Sequence, residues 1–140
     1  MKYYECEFEV KGLGGHDTPI LSCSRGDVFQ SQVSFVPRWD RYVMIFGCLV
    51  GEEYVTGKAK RSGFYVATSQ DSIRWTEPQR VMTELTVFKN GHGTIQHPTL
   101  VVSQVTKDRL QGLILYAYTP RWPIPHHLAS NPITVRLKGR

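Results

Sequence analysis

Polar and apolar residues alternate along most of this chain, and a period of two predicts β-strands rather than helices. Tyr4-Glu5-Cys6-Glu7-Phe8-Glu9-Val10 alternates strictly and stops at Lys11-Gly12-Leu13-Gly14-Gly15. Phe29 to Val36 sets Gln and Ser positions against Val33 and Phe35, and Pro37-Arg38-Trp39-Asp40 reads as a turn. Tyr42 to Cys48 is apolar at nearly every position, the pattern of a central strand covered on both faces. A polar loop, Glu52 to Ser62, leads into a strand at Gly63–Ser69, and Arg74-Trp75-Thr76 starts a short outer one.

The pattern then begins again. His97 to Val102 reads as a strand and Val105 to Gln111 as a polar turn region. Gly112 to Tyr118 is a second doubly apolar strand, Thr119 to Pro132 a loop, and Ile133 to Leu137 a last strand. Aligning the two cycles pairs Ser34 with Thr99 and Met44 with Leu115. A degenerate repeat of roughly 50–70 residues with three or four antiparallel strands per cycle suggests propeller blades. The expected fold is therefore all-β, a single unit over 1–140 with about two antiparallel β-propeller-blade-like sheets. The first covers 27–90 and the second 91–140, with an N-terminal strand over 3–10 as the candidate for the second sheet's missing outer strand.

Composition narrows the class. The chain has 140 residues, 41% hydrophobic and 21% charged, enough apolar content for a core and unlike a disordered segment. Its longest apolar stretch, Tyr42–Val50, has strand length, so no membrane span is expected. The N-terminus places Glu5 and Glu7 where a signal peptide carries an apolar run. That reads as cytoplasmic, although a piece of a longer secreted precursor would read the same way. The formal net charge of +5 is scattered apart from Lys58–Arg61 and the tail Arg136–Arg140. Aromatics do not interleave with these basic residues as a base-stacking surface requires, so nucleic acid is not the expected partner. Cys6, Cys23 and Cys48 are odd in number and lack CxxC spacing. A disulfide framework and a zinc ribbon are both disfavoured, and buried free thiols are expected. No metal or cofactor is expected: Gly12-x-Gly14-Gly15 precedes no helix, and no GxSxG elbow occurs.

Three stretches in order carry a family likeness: SQVSFVPRWDRYVMIFG (Ser31–Gly47), GFYVATSQDSIRWTEPQRVM (Gly63–Met82) and HPTLV (His97–Val101). Together they resemble blades of five-bladed β-propeller glycoside hydrolases, families 43 and 32 and their relatives. Ser69, Asp71 and Trp75 match a Ser-x-Asp-Gly-x-x-Trp motif with Ser72 at the glycine position, and Pro98, Thr99 and Leu100 match the Pro-Ser-Leu that opens a following blade. The likeness covers about residues 27–137. It implies a carbohydrate-active protein which, when complete, hydrolyses glycosidic bonds with paired carboxylates. The family's catalytic Asp, Asp and Glu match no position securely. Gln30 stands where an acid would be sought, and a carboxamide exchanges no proton near neutral pH. Five blades of about 50–70 residues need roughly twice this length. The resemblance thus implies missing blades in a longer chain or a homo-oligomer. Two readings stay open: a fragment or degenerate form of such an enzyme, and a non-catalytic oligomeric β module that binds a glycan or a protein.

Strand openings near the expected axis supply the candidate binding residues: Asp27, Gln30 and Ser31 in the first cycle, His97 in the second. Each has a plainer reading. Asp27 follows Arg25-Gly26 and suits a turn, while Gln30 and Ser31 suit the exposed side of a half-buried strand. Tyr118 and Trp122 offer aromatic faces to the C–H face of a sugar, and Trp122 equally suits a packing plug in its Pro-rich loop. Ser69 and Asp71 suit a self-bonded corner that Trp75 covers, a fold feature rather than a site.

Overall fold

A computed structural model of the chain describes residues 27–50, 53, 61–82, 94–119 and 127–137. Their strands are β1 (Asp27–Val36), β2 (Arg41–Leu49), β3 (Gly63–Ser69), β4 (Gln79–Met82), β5 (Thr94–Val105), β6 (Arg109–Thr119) and β7 (His127–Arg136). β1 to β4 form one antiparallel sheet in sequence order, and β5 to β7 form a second. The all-β, two-sheet expectation holds, and the sheets do not close into a ring. The N-terminal strand expected over 3–10 lies outside the described residues.

Three boundaries differ from the sequence reading. Arg74–Thr76 is not a strand: Trp75 makes a single bridge to Ser69, and the outer strand is Gln79–Met82. The reason is the Asp71 corner, which ties the backbone of residues 71–74 to itself. The turn between β5 and β6 is shorter than expected, because Thr106 accepts from Arg109 N–H through its hydroxyl at 3.1 Å and closes the hairpin tightly. Residues His127–Pro132, expected in a loop, are the first half of β7. β7 pairs only with β6 among the described strands, and at such an edge the missing N–H of Pro132 costs little.

The core lies between the sheets. Val43, Ile45, Phe64 and Val66 of the first sheet meet Leu100, Ile114, Tyr116, Ile133 and Val135 of the second. Phe64 and Tyr116 meet edge-on with ring centroids 5.7 Å apart. β1 and β2 lie against β5, and β4 against β7. Trp39 at the β1–β2 turn donates its indole N–H to the Thr106 carbonyl at the β5–β6 turn, at 2.8 Å.

The first strand of each sheet carries a bulge. Gln30-Ser31 faces Phe46 across β1–β2, and His97-Pro98 faces Tyr116 across β5–β6. Anchored on these bulges, the repeat equates Gln30 with His97, Ser34 with Val101, Val43 with Leu113 and Met44 with Ile114. The pairings of Ser34 with Thr99 and Met44 with Leu115 are therefore displaced. A doubly apolar pattern slides along itself with little penalty, whereas a bulge fixes register. One consequence follows for the stacking: the face of the first sheet that packs on the second is the repeat counterpart of the second sheet's outer face.

The other face of the first sheet buries Met44, Phe46 and Ala67, with Tyr65 and Trp75 packed against them. Cys48 is buried as expected, but as a disulfide rather than a thiol. Sequence spacing carried no sign of the pairing, because a disulfide needs Cα atoms within about 7 Å, which only the fold decides. Its partner is Cys6 or Cys23, the only other cysteines, and lies outside the described residues. Thiol titration of the denatured chain should count one thiol per chain without reductant and all three after reduction. Three without reductant would contradict the bond.

Candidate functional site

Asp27 starts β1 opposite Leu49 at the end of β2, and Cys48 faces Gly63 at the start of β3. The bulges thus lie toward the end of the sheets where β1, β3 and β5 begin and β2 and β6 finish. Gln30 has φ 47° and His97 φ 54°. A left-handed backbone at a non-glycine residue costs about 1–3 kcal/mol and persists only where neighbours over-determine it. Here the two strained residues meet. The backbone N–H of His97 donates to Gln30 Oε1 at 2.6 Å. Next to it, the N–H of Leu100 donates to Gln32 Oε1 at 2.8 Å. The two glutamines thereby satisfy backbone donors of β5.

This geometry changes what Gln30 can do. Its carboxamide oxygen accepts from β5 through one of its two lone pairs, and its Nε2 amide supplies the donors. His97 and Ser31 are exposed, so an imidazole and a hydroxyl are open to solvent beside that amide. Of the sequence-predicted residues, Gln30 and His97 are brought into contact, with Ser31 adjacent in the same bulge. Tyr118 lies opposite Ile95 and His127 and packs half-buried against the core between the sheets. Trp122 lies outside the described residues. Gln32 was missed by sequence reasoning, since one more glutamine in an alternating strand carries no mark of the strand beside it.

Two carboxylates are built into the frame. Asp71 Oδ1 accepts from the N–H groups of Arg74 at 2.7 Å and Ile73 at 2.9 Å and from the Ser69 hydroxyl at 3.0 Å. These bonds, Arg74 N–H first and then Ile73 N–H, hold its carboxyl below the usual range. Trp75 closes the corner with an indole N–H bond to the Ser72 carbonyl at 3.1 Å. Ser69 pairs toward Tyr42, so this corner sits at the far end of the sheet from the bulges.

Glu53, in the β2–β3 connection, does lie at the bulge end. It is buried, and both of its oxygens are occupied. Arg61 N–H lies 2.9 Å from each, Ser62 N–H 2.7 Å from Oε2, and Arg61 Nε 3.1 Å from Oε1. Ser62 Oγ in turn accepts from Val50 N–H at 2.9 Å. Burial by itself would raise the Glu53 pKa. The N–H groups of Ser62 and Arg61, with their side chains, outweigh it and hold the pKa at about 2. A general acid needs the opposite tuning and a free oxygen. Glu53 is thus a loop staple and a poor proton donor.

Among the described residues, no group of three His, Cys, Asp or Glu side chains is placed to hold a metal ion, and no helix is long and apolar enough to cross a membrane. No family model, curated protein or solved structure matches the chain.

Proposed function

We propose that this chain is a carbohydrate-binding β module that lacks a glycosidase acid pair of its own. The observation that carries the reading is the junction of Gln30 and His97. Two repeat-equivalent residues take up strained backbones, are joined by a 2.6 Å hydrogen bond, and present an amide, an imidazole and a hydroxyl at one end of the sheets. Planar donor and acceptor groups of this kind suit the vicinal hydroxyls of a sugar. The engagement of Glu53 and Asp71 in loop and corner supports binding over hydrolysis by this chain alone. The same-sense stacking of the two sheets favours a second reading. In it, further blades bring carboxylates to this end, and the assembly hydrolyses glycosidic bonds as the resembled hydrolases do. The Cys48 disulfide favours an oxidising compartment over the cytoplasm that the N-terminal residues suggested.

Calorimetric titration with arabino-, xylo- and fructo-oligosaccharides tests the proposal. Gln30→Glu keeps an oxygen for the His97 N–H but removes the Nε2 donor, and His97→Ala removes the imidazole. Each should weaken binding about 3- to 10-fold, the worth of one hydrogen bond. Binding by neither wild type nor variants, or equal binding by all three, would sink the carbohydrate reading.

A further inference from the structure

Basic residues that are scattered in sequence are gathered by the fold at the end opposite Gln30 and His97. Arg38 and Arg41 flank Trp39 in the β1–β2 turn. The Trp39 indole bond to the Thr106 carbonyl ties that turn to Lys107 and Arg109 at the β5–β6 turn. Arg136, the last residue of β7, lies directly opposite Arg109. Leu137 is held at the same end by its N–H bond to the Asp108 carbonyl at 2.9 Å, and Lys138 follows it in sequence. Packed sheets lie about 10 Å apart, a gap that long arginine and lysine side chains can span from both sides, so these segments make one surface. Two features separate it from an ordinary solvated face. It is unbalanced, because five cations share these segments with two carboxylates, Asp40 and Asp108. Asp108 Oδ1 is engaged by the Thr106 hydroxyl at 3.2 Å, and the ion pairs among the described residues, Arg61–Glu53 and Arg74–Asp71, use none of the five. It also repels itself: Arg109 and Arg136 are exposed and form one cross-strand pair, where like charges destabilise a sheet. An anion held between them removes that cost.

We propose that this end of the molecule binds an anionic polysaccharide, one that carries carboxylate or sulfate groups along its length. Guanidinium forks pair with such oxyanions through two parallel hydrogen bonds. Cations drawn from three segments suit charges repeated along a chain better than one small anion. Nucleic acid fits the surface less well. The only aromatic residue of the two turns, Trp39, is 7% exposed and its indole N–H is engaged, so the turns present no ring for a base to stack on. The Cys48 disulfide also favours an oxidising compartment, where polyanions are glycans more than nucleic acids. This surface lies at the other end of the sheets from the Gln30–His97 junction and does not depend on it.

The test is fluorescence anisotropy of the oxidised chain with labelled polygalacturonate, dextran sulfate, neutral dextran and single-stranded DNA of matched length. Polygalacturonate presents carboxylates and dextran sulfate presents sulfates, so the two arms separate the sources of the anion. At least one of them should bind, and neutral dextran should not bind here. Raising salt from about 50 to about 200 mM should weaken binding about 10- to 20-fold, as counterion release from roughly three neutralised anions requires. The double variants Arg109→Gln/Arg136→Gln and Arg38→Gln/Lys107→Gln should each weaken it about 3- to 10-fold, the worth of two exposed ion pairs. Lys58→Gln/Lys60→Gln removes the same charge elsewhere in the sequence, and His97→Ala alters the other site; both should bind the anionic polymer like wild type. Arg109→Gln/Arg136→Gln should leave the urea midpoint unchanged or raised, since it relieves a like-charge pair. No binding of either anionic polysaccharide, tighter binding of the DNA, an equal loss in the Lys58 and Lys60 variant, or a lowered midpoint would overturn the proposal.

Discussion

Truncating Phe64 to alanine will cost about 3–5 kcal/mol of stability, a large part of what a domain this size possesses. Phe64 is fully buried between the sheets and meets Tyr116 edge-on, so the change opens a cavity that neither sheet can fill alone. The loss should register in both halves of the molecule. Urea unfolding of Phe64→Ala should remain a single transition at a lower midpoint, and amide protection of β6 should fall along with that of β2 and β3. Unchanged protection in β6 would mean that the sheets fold independently, contrary to their shared core.

Glu53→Gln is expected to cost about 2–3 kcal/mol near neutral pH, with a pH signature that separates charge from packing. The folded carboxyl has its pKa lowered from 4.5 to about 2. Its contribution is therefore complete above pH 4.5 and fades as pH falls toward 2. Glutamine preserves one acceptor oxygen but carries no charge, so it loses the charge-assisted share of the bonds to Arg61 and Ser62. Urea midpoints of wild type and variant should lie well apart near pH 7 and converge near pH 2. A gap constant across that range would assign the effect to packing. Asp71, also lowered, should act in the same direction, but its exposure leaves it a smaller part.

The corner at Ser69–Trp75 could be read directly from sequence, because short polar side chains bond their own backbone and need no distant partner. The doubly apolar strands Tyr42–Cys48 and Gly112–Tyr118 could be read for the same kind of reason, since burial on both faces is written in composition. β7 could not. His127, Asn131 and Pro132 look like a loop, and only a place at the sheet edge makes them a strand. Glu53 was equally opaque: two adjacent glutamates in a polar loop look alike until one is buried against the N–H groups of Arg61 and Ser62.

The sequence by itself determined the class of this protein: all-β, antiparallel, two cycles of strands. Period-two alternation and local turns suffice for that, because both arise from neighbours along the chain. Tertiary structure alone decided which candidates meet. It put Gln30 against His97 through bulges that no pattern announced and set Tyr118 half-buried against the core. It made Cys48 a disulfide. Each of these depends on contacts between strands tens of residues apart, and stacking, rather than local preference, sets their register.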